Sequence, residues 1–212
     1  MIKKKKILNL YGGLGGNVKE LDNNLYEITT VEKDSKIAIA YQLNNPTHKV
    51  VVGDALEYLL NHYSEYDIVW ASPTCQSHGR MVKATRHKIK KMPDMSLYQV
   101  IIFLTHFFKG GWIVENVKPY YEPLIKPTAI IGRHVFWSNF RISNIEVKNL
   151  KGFINNTNTK GAEALKKHLG IKYEGNIYYD GNHCPAQVLR NCVPPKLGLH
   201  IINEYELNGV DG

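Results

Sequence analysis

The alternation of short apolar runs with segments of helical spacing predicts an α/β fold, a mostly parallel sheet with helices on both faces. Three observations carry this reading. Apolar, β-rich runs recur between Lys6 and Val114, and helical spacing separates several of them. Each run ends in glycine or in a polar residue of chemical interest, as strands do when a parallel sheet presents its carboxyl ends to a ligand. Finally, 212 residues that are 43% hydrophobic and 22% charged suffice to bury the core of one large domain and are too few for two comfortable ones.

The elements follow in order. Lys6–Tyr11 is a buried strand that runs into the glycine turn Gly12-Gly13-Leu14-Gly15-Gly16. Leu25–Glu32 is a second strand ending in an acidic residue, and Asp34–Tyr41 has helical spacing. Lys49–Val52 is a third strand, followed by Gly53-Asp54 and an amphipathic stretch from Ala55 to Tyr63. Tyr66–Ala71, the fourth, delivers Ser72-Pro73-Thr74-Cys75 into a polar loop. Ser96–Phe108 reads as a helix with Ser96 as its N-cap, and Gly111–Val114 as a fifth strand ending in Glu115-Asn116. From Arg141 the pattern loosens, and Asn149–Gly181 is rich in Asn, Gly, Lys and Thr, with one short helix over Gly161–His168. An apolar-periodic helix from Lys196 to Tyr205 closes the chain, with Pro195 suited to its first turn. The expected organisation is a core over 1–140, a small insert over 141–187, and a closing segment over 188–212 that returns to the core, one domain overall.

Several function classes are set aside by composition. No apolar stretch approaches the roughly 20 residues of a membrane span, and the nearest, Ile101–Phe108, stops at Lys109-Gly110-Gly111. The basic start Met1–Lys6 leads into an apolar run halted by glycines, which is not the pattern of a signal peptide. Three cysteines without CxxC spacing make neither a disulfide framework nor a metal site. The expectation is a soluble protein of a reduced cytosol, bacterial or that of a phage-infected host, with no metal and no membrane partner. The formal net charge of +8, from 27 Lys+Arg against 19 Asp+Glu, favours a polyanion. Arg80, Lys83, Arg86, Lys88, Lys90 and Lys91 crowd one stretch without an acidic residue, directly after the cysteine loop.

Gly13, Leu14, Gly15 and Gly16 let backbone approach a ligand. Glu32 ends a strand where nucleoside-binding sheets hold a ribose diol. Asp54 suits either an adenine amine or the N-terminus of the helix after it. These features fit a dinucleotide or S-adenosylmethionine alike. Cys75 separates the two. Hydride transfer has no use for a thiol there, whereas methylation of cytosine carbon 5 requires a nucleophile to add first at carbon 6. An exposed, electropositive loop is the setting that lowers a thiol pKa, and Glu115 on the neighbouring strand end then meets the pyrimidine edge and its ring nitrogen. Cys184 and Cys192 read as packing residues.

In this order the motifs resemble those of the DNA cytosine-5 methyltransferases. Asn9-Leu10-Tyr11-Gly12-Gly13-Leu14-Gly15-Gly16 resembles the family's cofactor loop, Ser72-Pro73-Thr74-Cys75-Gln76 its Pro-Pro-Cys-Gln, Glu115-Asn116-Val117 its Glu-Asn-Val, and Arg190-Asn191-Cys192-Val193-Pro194-Pro195 its closing segment. The resemblance implies a Rossmann-like, S-adenosylmethionine-dependent methyltransferase fold. It places the cofactor against Tyr11, Gly13, Leu14, Gly15, Gly16, Glu32, Lys33, Asp54, Ala55, Pro73, Asn191 and Val193. It makes Cys75 the covalent nucleophile, with Glu115 and Arg133 on the base. It also implies double-stranded DNA whose target cytosine is flipped out, under a mobile loop from Gln76 to Asp94 in which Gln76, Ser77, His78 and the basic residues meet the nucleic acid. The chain departs from the family at Asn9, where aspartate is usual, at Thr74, at Arg190 and at Gly132-Arg133-His134, where the family has Arg-x-Arg. Only 141–187 is left for target recognition, as in the stripped-down members that phages carry. RNA cytosine methylation and a catalytically idle, nucleic-acid-binding role remain alongside. Target sequence and oligomeric state are not legible.

Overall fold

The computed structural model describes residues 3–79, 92–147, 159–179 and 184–209. Among these, one seven-stranded sheet runs through β1 (Lys5–Leu10), β2 (Tyr26–Glu32), β3 (Lys49–Val52), β4 (Ile68–Ala71), β5 (Gly111–Val117), β6 (Ala129–Ile131) and β7 (His134–Ser138), in the order β3-β2-β1-β4-β5-β7-β6. The first five are parallel, and β7 pairs antiparallel with both β5 and β6. The fold is the expected Rossmann-like α/β arrangement. Order reverses at β1, whose two neighbours β2 and β4 both lead their loops to the same side, and that crevice is where open α/β sheets hold ligands.

Alternation along each strand feeds two cores. Leu8, Leu10, Val69, Ala71, Trp112 and Val114 face α2 (Ala55–His62) and α3 (Ser96–Phe107). Ile7, Ile28, Ile68, Trp70 and Ile113 face Tyr41 of α1 (Ser35–Asn44) and Leu197, Ile201 and Ile202 of the last helix. A third cluster joins Leu14 and Ile37 to Ala162, Leu165 and Leu169 of α4 (Thr159–Leu169) and to Val188 and Leu189 of the short α5 (Gln187–Arg190). Through it the insert packs on the glycine loop. The closing helix α6 (Pro195–Asn208) begins with proline in its first turn, as expected.

Three local expectations are corrected. Ser96 is the first residue of α3 rather than its cap, because the Asp94 carboxylate two residues upstream accepts from its N–H at 3.0 Å. Strand β4 starts at Ile68, since Tyr66 closes the 3-10 turn Tyr63–Glu65. Strand β5 continues to Val117 because β7 supplies antiparallel partners from Ile113 to Val117; Glu115 and Asn116 therefore lie within the strand, not past its end. The β6–β7 hairpin has no counterpart in the pattern reading, its strands being too short to show periodicity.

Helix α6 lies so close to the 3-10 turn Gly16–Val18 that a Cβ at Gly198 would collide with the Asn17 carbonyl. Gly198→Ala should therefore cost about 2 kcal/mol through overpacking against rigid backbone, read as a lower urea midpoint at unchanged slope. A variant as stable as the wild type would show that this approach is not tight.

Candidate functional site

The carboxyl ends of β1, β2, β4 and β5 open onto one cavity of about 650 Å³, within the usual range for small-molecule sites. At one end, the glycine turn leaves Gly13 in the left-handed region (φ 53°) with open space where a side chain would stand. The preceding Tyr11 shares that region (φ 56°), an uncommon conformation for a residue with a Cβ and a mark of local strain. Gly13 donates its N–H to Glu32 Oε2 at 2.9 Å, while Asp34 N–H donates to Oε1 at 2.9 Å. Burial raises the Glu32 pKa and these backbone bonds oppose the rise. Each oxygen keeps a further lone pair for a hydroxyl. Asp54 caps α2 through the N–H groups of Leu56 and Glu57, and Lys33 Nζ stands 3.9 Å from its other oxygen.

Asn9, where the family has aspartate, does not line the cavity. Its side chain is buried beneath the glycine turn, accepting from Asn17 Nδ2 at 2.8 Å and donating to Thr30 Oγ1 at 3.2 Å. Thr30 continues to the Tyr41 hydroxyl and Tyr41 to His48 Nδ1, whose other ring nitrogen meets Asn23. Burial holds His48 down at about 4, so its ring stays neutral.

At the opposite end stand Cys75, Glu115, Arg133 and His134. Asn116 fixes the Cys75 loop to β5 by donating to the Pro73 carbonyl at 3.0 Å. The turn after Cys75 closes through N–H groups of His78 and Gly79 on the Cys75 carbonyl. Cys75 Sγ lies 4.0 Å from Asn191 Oδ1, and Asn191 in turn donates to the Tyr179 hydroxyl at 2.7 Å. The thiol is not depressed, contrary to the expectation from the basic loop. Partial burial, then the Glu115 charge, push it up to about 11, and Arg133 opposes without cancelling them. Glu115 is itself buried and bonded through Oε1 to His134 Nδ1 at 2.6 Å.

Among the residues predicted from sequence, Tyr11, Gly13, Leu14, Gly15, Gly16, Glu32, Lys33, Asp54, Ala55, Pro73, Cys75, Gln76, Glu115, Arg133, Asn191 and Val193 all line this cavity. Ser77 and His78 do not. Both are buried, Ser77 Oγ accepting the Asp94 N–H at 2.9 Å and His78 Nδ1 meeting the Tyr121 hydroxyl at 2.6 Å, so they anchor the start of the loop instead of facing a ligand. Arg133, expected on the base, donates through Nη2 to the carbonyls of Arg190 at 2.5 Å and Cys192 at 3.2 Å, which makes it also a latch on the closing segment. Arg80, Lys83, Arg86, Lys88, Lys90 and Lys91 lie outside the described residues. Tyr179 and His134 were missed as site residues: the first sits in a stretch without periodicity, and the second becomes visible only through strand pairing.

No family model matches the chain, and no curated protein matches it. Among solved structures it is similar to a SAM-dependent methyltransferase from Agrobacterium tumefaciens (15% identity, TM-score 0.42, over 57% of this chain and 41% of that one). It is also similar to a mutant of Spodoptera frugiperda DNMT2 (23%, 0.38, over 54% and 36%) and to the Entamoeba histolytica methyltransferase EhMeth (13%, 0.44, over 74% and 61%). The match spans less than two thirds of each of these chains.

The raised thiol pKa has a measurable consequence. Alkylation of Cys75 by iodoacetamide, followed on its own peptide by mass spectrometry, should accelerate about tenfold per pH unit from 7 to 10, because only the thiolate reacts. A plateau near pH 8 would mean that the thiol is already ionised and that the burial argument is wrong.

Proposed function

We propose that the protein is an S-adenosylmethionine-dependent methyltransferase that acts on carbon 5 of a cytosine in DNA through a covalent adduct to Cys75. The single observation that carries this reading is one cavity joining the Gly13–Glu32 cradle to a thiol and a carboxyl group. The cradle suits a nucleoside: Glu32 accepts ribose hydroxyls, Asp54 and Ala55 border the place of the base, and the open side of Gly13 admits a ligand against backbone. When bound, the cofactor supplies an electrophilic methyl group.

The chain's residues supply the rest. Cys75 loses its proton to solvent and adds to carbon 6 of the pyrimidine, and the displaced electron pair is drawn towards ring nitrogen 3, where the Glu115 carboxyl gives a proton. Carbon 5 then takes the methyl group. Loss of the carbon 5 proton to solvent expels the Cys75 thiolate, which takes a proton back from solvent, and nitrogen 3 returns its proton to Glu115, so that the net exchange is one methyl cation for one proton. A cytosine paired in a duplex cannot enter, and flipping costs a few kcal/mol. The +8 net charge and the basic run between Arg80 and Lys91 supply the phosphate attraction that offsets it.

Labelled cofactor incubated with DNA, RNA and free nucleotide should label DNA, and 5-fluorocytosine in that DNA should trap a covalent adduct. Cys75→Ser should abolish both while keeping cofactor affinity. Glu32→Ala should weaken cofactor binding by calorimetry about tenfold or more, as expected for loss of a charge-assisted pair of hydrogen bonds. Transfer to RNA alone would move the substrate, and transfer to none of the three would end the enzyme reading.

A further inference from the structure

We propose that His134 is the positioning residue for Glu115, its Nδ1–H holding one carboxyl oxygen so that the other keeps its proton for ring nitrogen 3 of the pyrimidine; the inference rests on the methyl-transfer reading above. The pairing register puts the two residues together. Glu115 opposes Phe136 and Val117 opposes His134 across β5 and β7, so Glu115 and His134 are diagonal neighbours on one face of the sheet. They are 5% and 3% exposed, and both line the cavity. A carboxyl group at this depth needs a partner. Among the described residues its hydrogen bond is the 2.6 Å contact from Oε1 to His134 Nδ1. The other ionisable groups facing Glu115 are the thiols of Cys75 and Cys192 and the Arg133 guanidinium.

With a proton on the carboxyl group, as the proposed chemistry requires, two arrangements satisfy that contact, and they differ in what the pyrimidine meets. With hydrogen on Nδ1, Oε1 accepts it, and the carboxyl proton sits on Oε2. Oε2–H then donates to nitrogen 3, and Oε1, with a second lone pair, accepts from the 4-amino group. That is a cytosine edge, and it disfavours uracil or thymine, whose nitrogen 3 carries hydrogen and whose carbon 4 carries an oxygen. With hydrogen on Nε2, the carboxyl proton is drawn to Oε1 and given to Nδ1. Oε2 is then a bare acceptor with no proton for nitrogen 3. The tautomer of His134 therefore decides whether Glu115 acts as an acid on the base. In the first arrangement the His134 ring does the orienting, beside Arg133 whose Nη2 is committed to the closing segment.

Two measurements test this. Nitrogen-15 spectra of histidine-labelled protein, assigned by comparison with His134→Asn, should show hydrogen on His134 Nδ1; a bare Nδ1 overturns the proposal, whether or not the protein transfers methyl groups. In methyl transfer to DNA, His134→Leu should lower kcat roughly 10-fold to 100-fold, the range for groups that orient a reacting residue, with KM for the cofactor unchanged. His134→Asn places an amide N–H near the position of Nδ1 and should recover most of that loss. Because His134 acts through Glu115, His134→Leu combined with Glu115→Gln should be no slower than Glu115→Gln alone. Additive losses, or no recovery by asparagine, overturn the role while leaving an active wild type in place. A wild type that transfers to no nucleic acid overturns the methyl-transfer reading itself.

Discussion

The close approach of two backbones, the glycine turn after β1 and the closing segment before α6, is the constraint on which the rest of the site depends. A side chain at Gly16 would strike the Val193 carbonyl, and one at Gly198 would strike the Asn17 carbonyl. The glycine turn and the closing segment are thus pressed together without side chains between them at these two points. Arg133 ties down the closing segment from the far side of the cavity. Asn191, held between these contacts, reaches both Cys75 and Tyr179. The Gly13–Glu32 end of the cavity and its Cys75–Glu115 end thus share a single wall.

What was legible in the sequence is what depends on neighbours in the chain. Buried strands have continuous apolar runs, and their ends are marked by glycine or by a change to polar residues, so Gly13, Glu32, Asp54 and Cys75 could all be placed from local pattern. What was not legible depends on partners far along the chain. β5 extends past Val114 only because β7 arrives to pair with it. Ser77 and His78 look like solvated loop residues until Asp94 and Tyr121 come to bond them. The Cys75 thiol was misjudged for the same reason: its pKa is set by burial and by Glu115 from another strand, neither of which a charge count along the loop contains.

Asn9 stands where the family that the motifs resemble has aspartate, and its bonds give a physical reason for the amide. Asn17 donates to Asn9, Asn9 to Thr30, Thr30 to Tyr41, Tyr41 to His48, and His48 to Asn23. Every donor in this buried series meets an acceptor in one direction. An aspartate at position 9 offers no N–H, so Thr30 would have to turn its hydroxyl towards it, and Tyr41 and His48 would have to reverse in turn. His48 would then carry its hydrogen on Nδ1 and leave Nε2 without one to give Asn23. Asparagine thus fits the polarity of the whole series, at a position the cavity does not reach.

The neutral thiol is consistent with the proposed chemistry once the pyrimidine is included. At pH 7 a thiol at about 11 costs roughly 5 kcal/mol to ionise, at 1.36 kcal/mol per unit. Two causes hold it there, burial and the facing Glu115 charge. On the methyl-transfer reading, ring nitrogen 3 favours the protonated form of Glu115 by accepting a hydrogen bond from it, and until that proton is passed on the neutral carboxyl group removes the second cause. Arg133, which favours the thiolate, is left as the charge that Cys75 meets. On that reading the substrate lowers the cost of forming the nucleophile that attacks it. In this arrangement His134 bears on both residues of the pair, on Glu115 through the hydrogen bond it gives and on Cys75 through the proton that bond leaves in place.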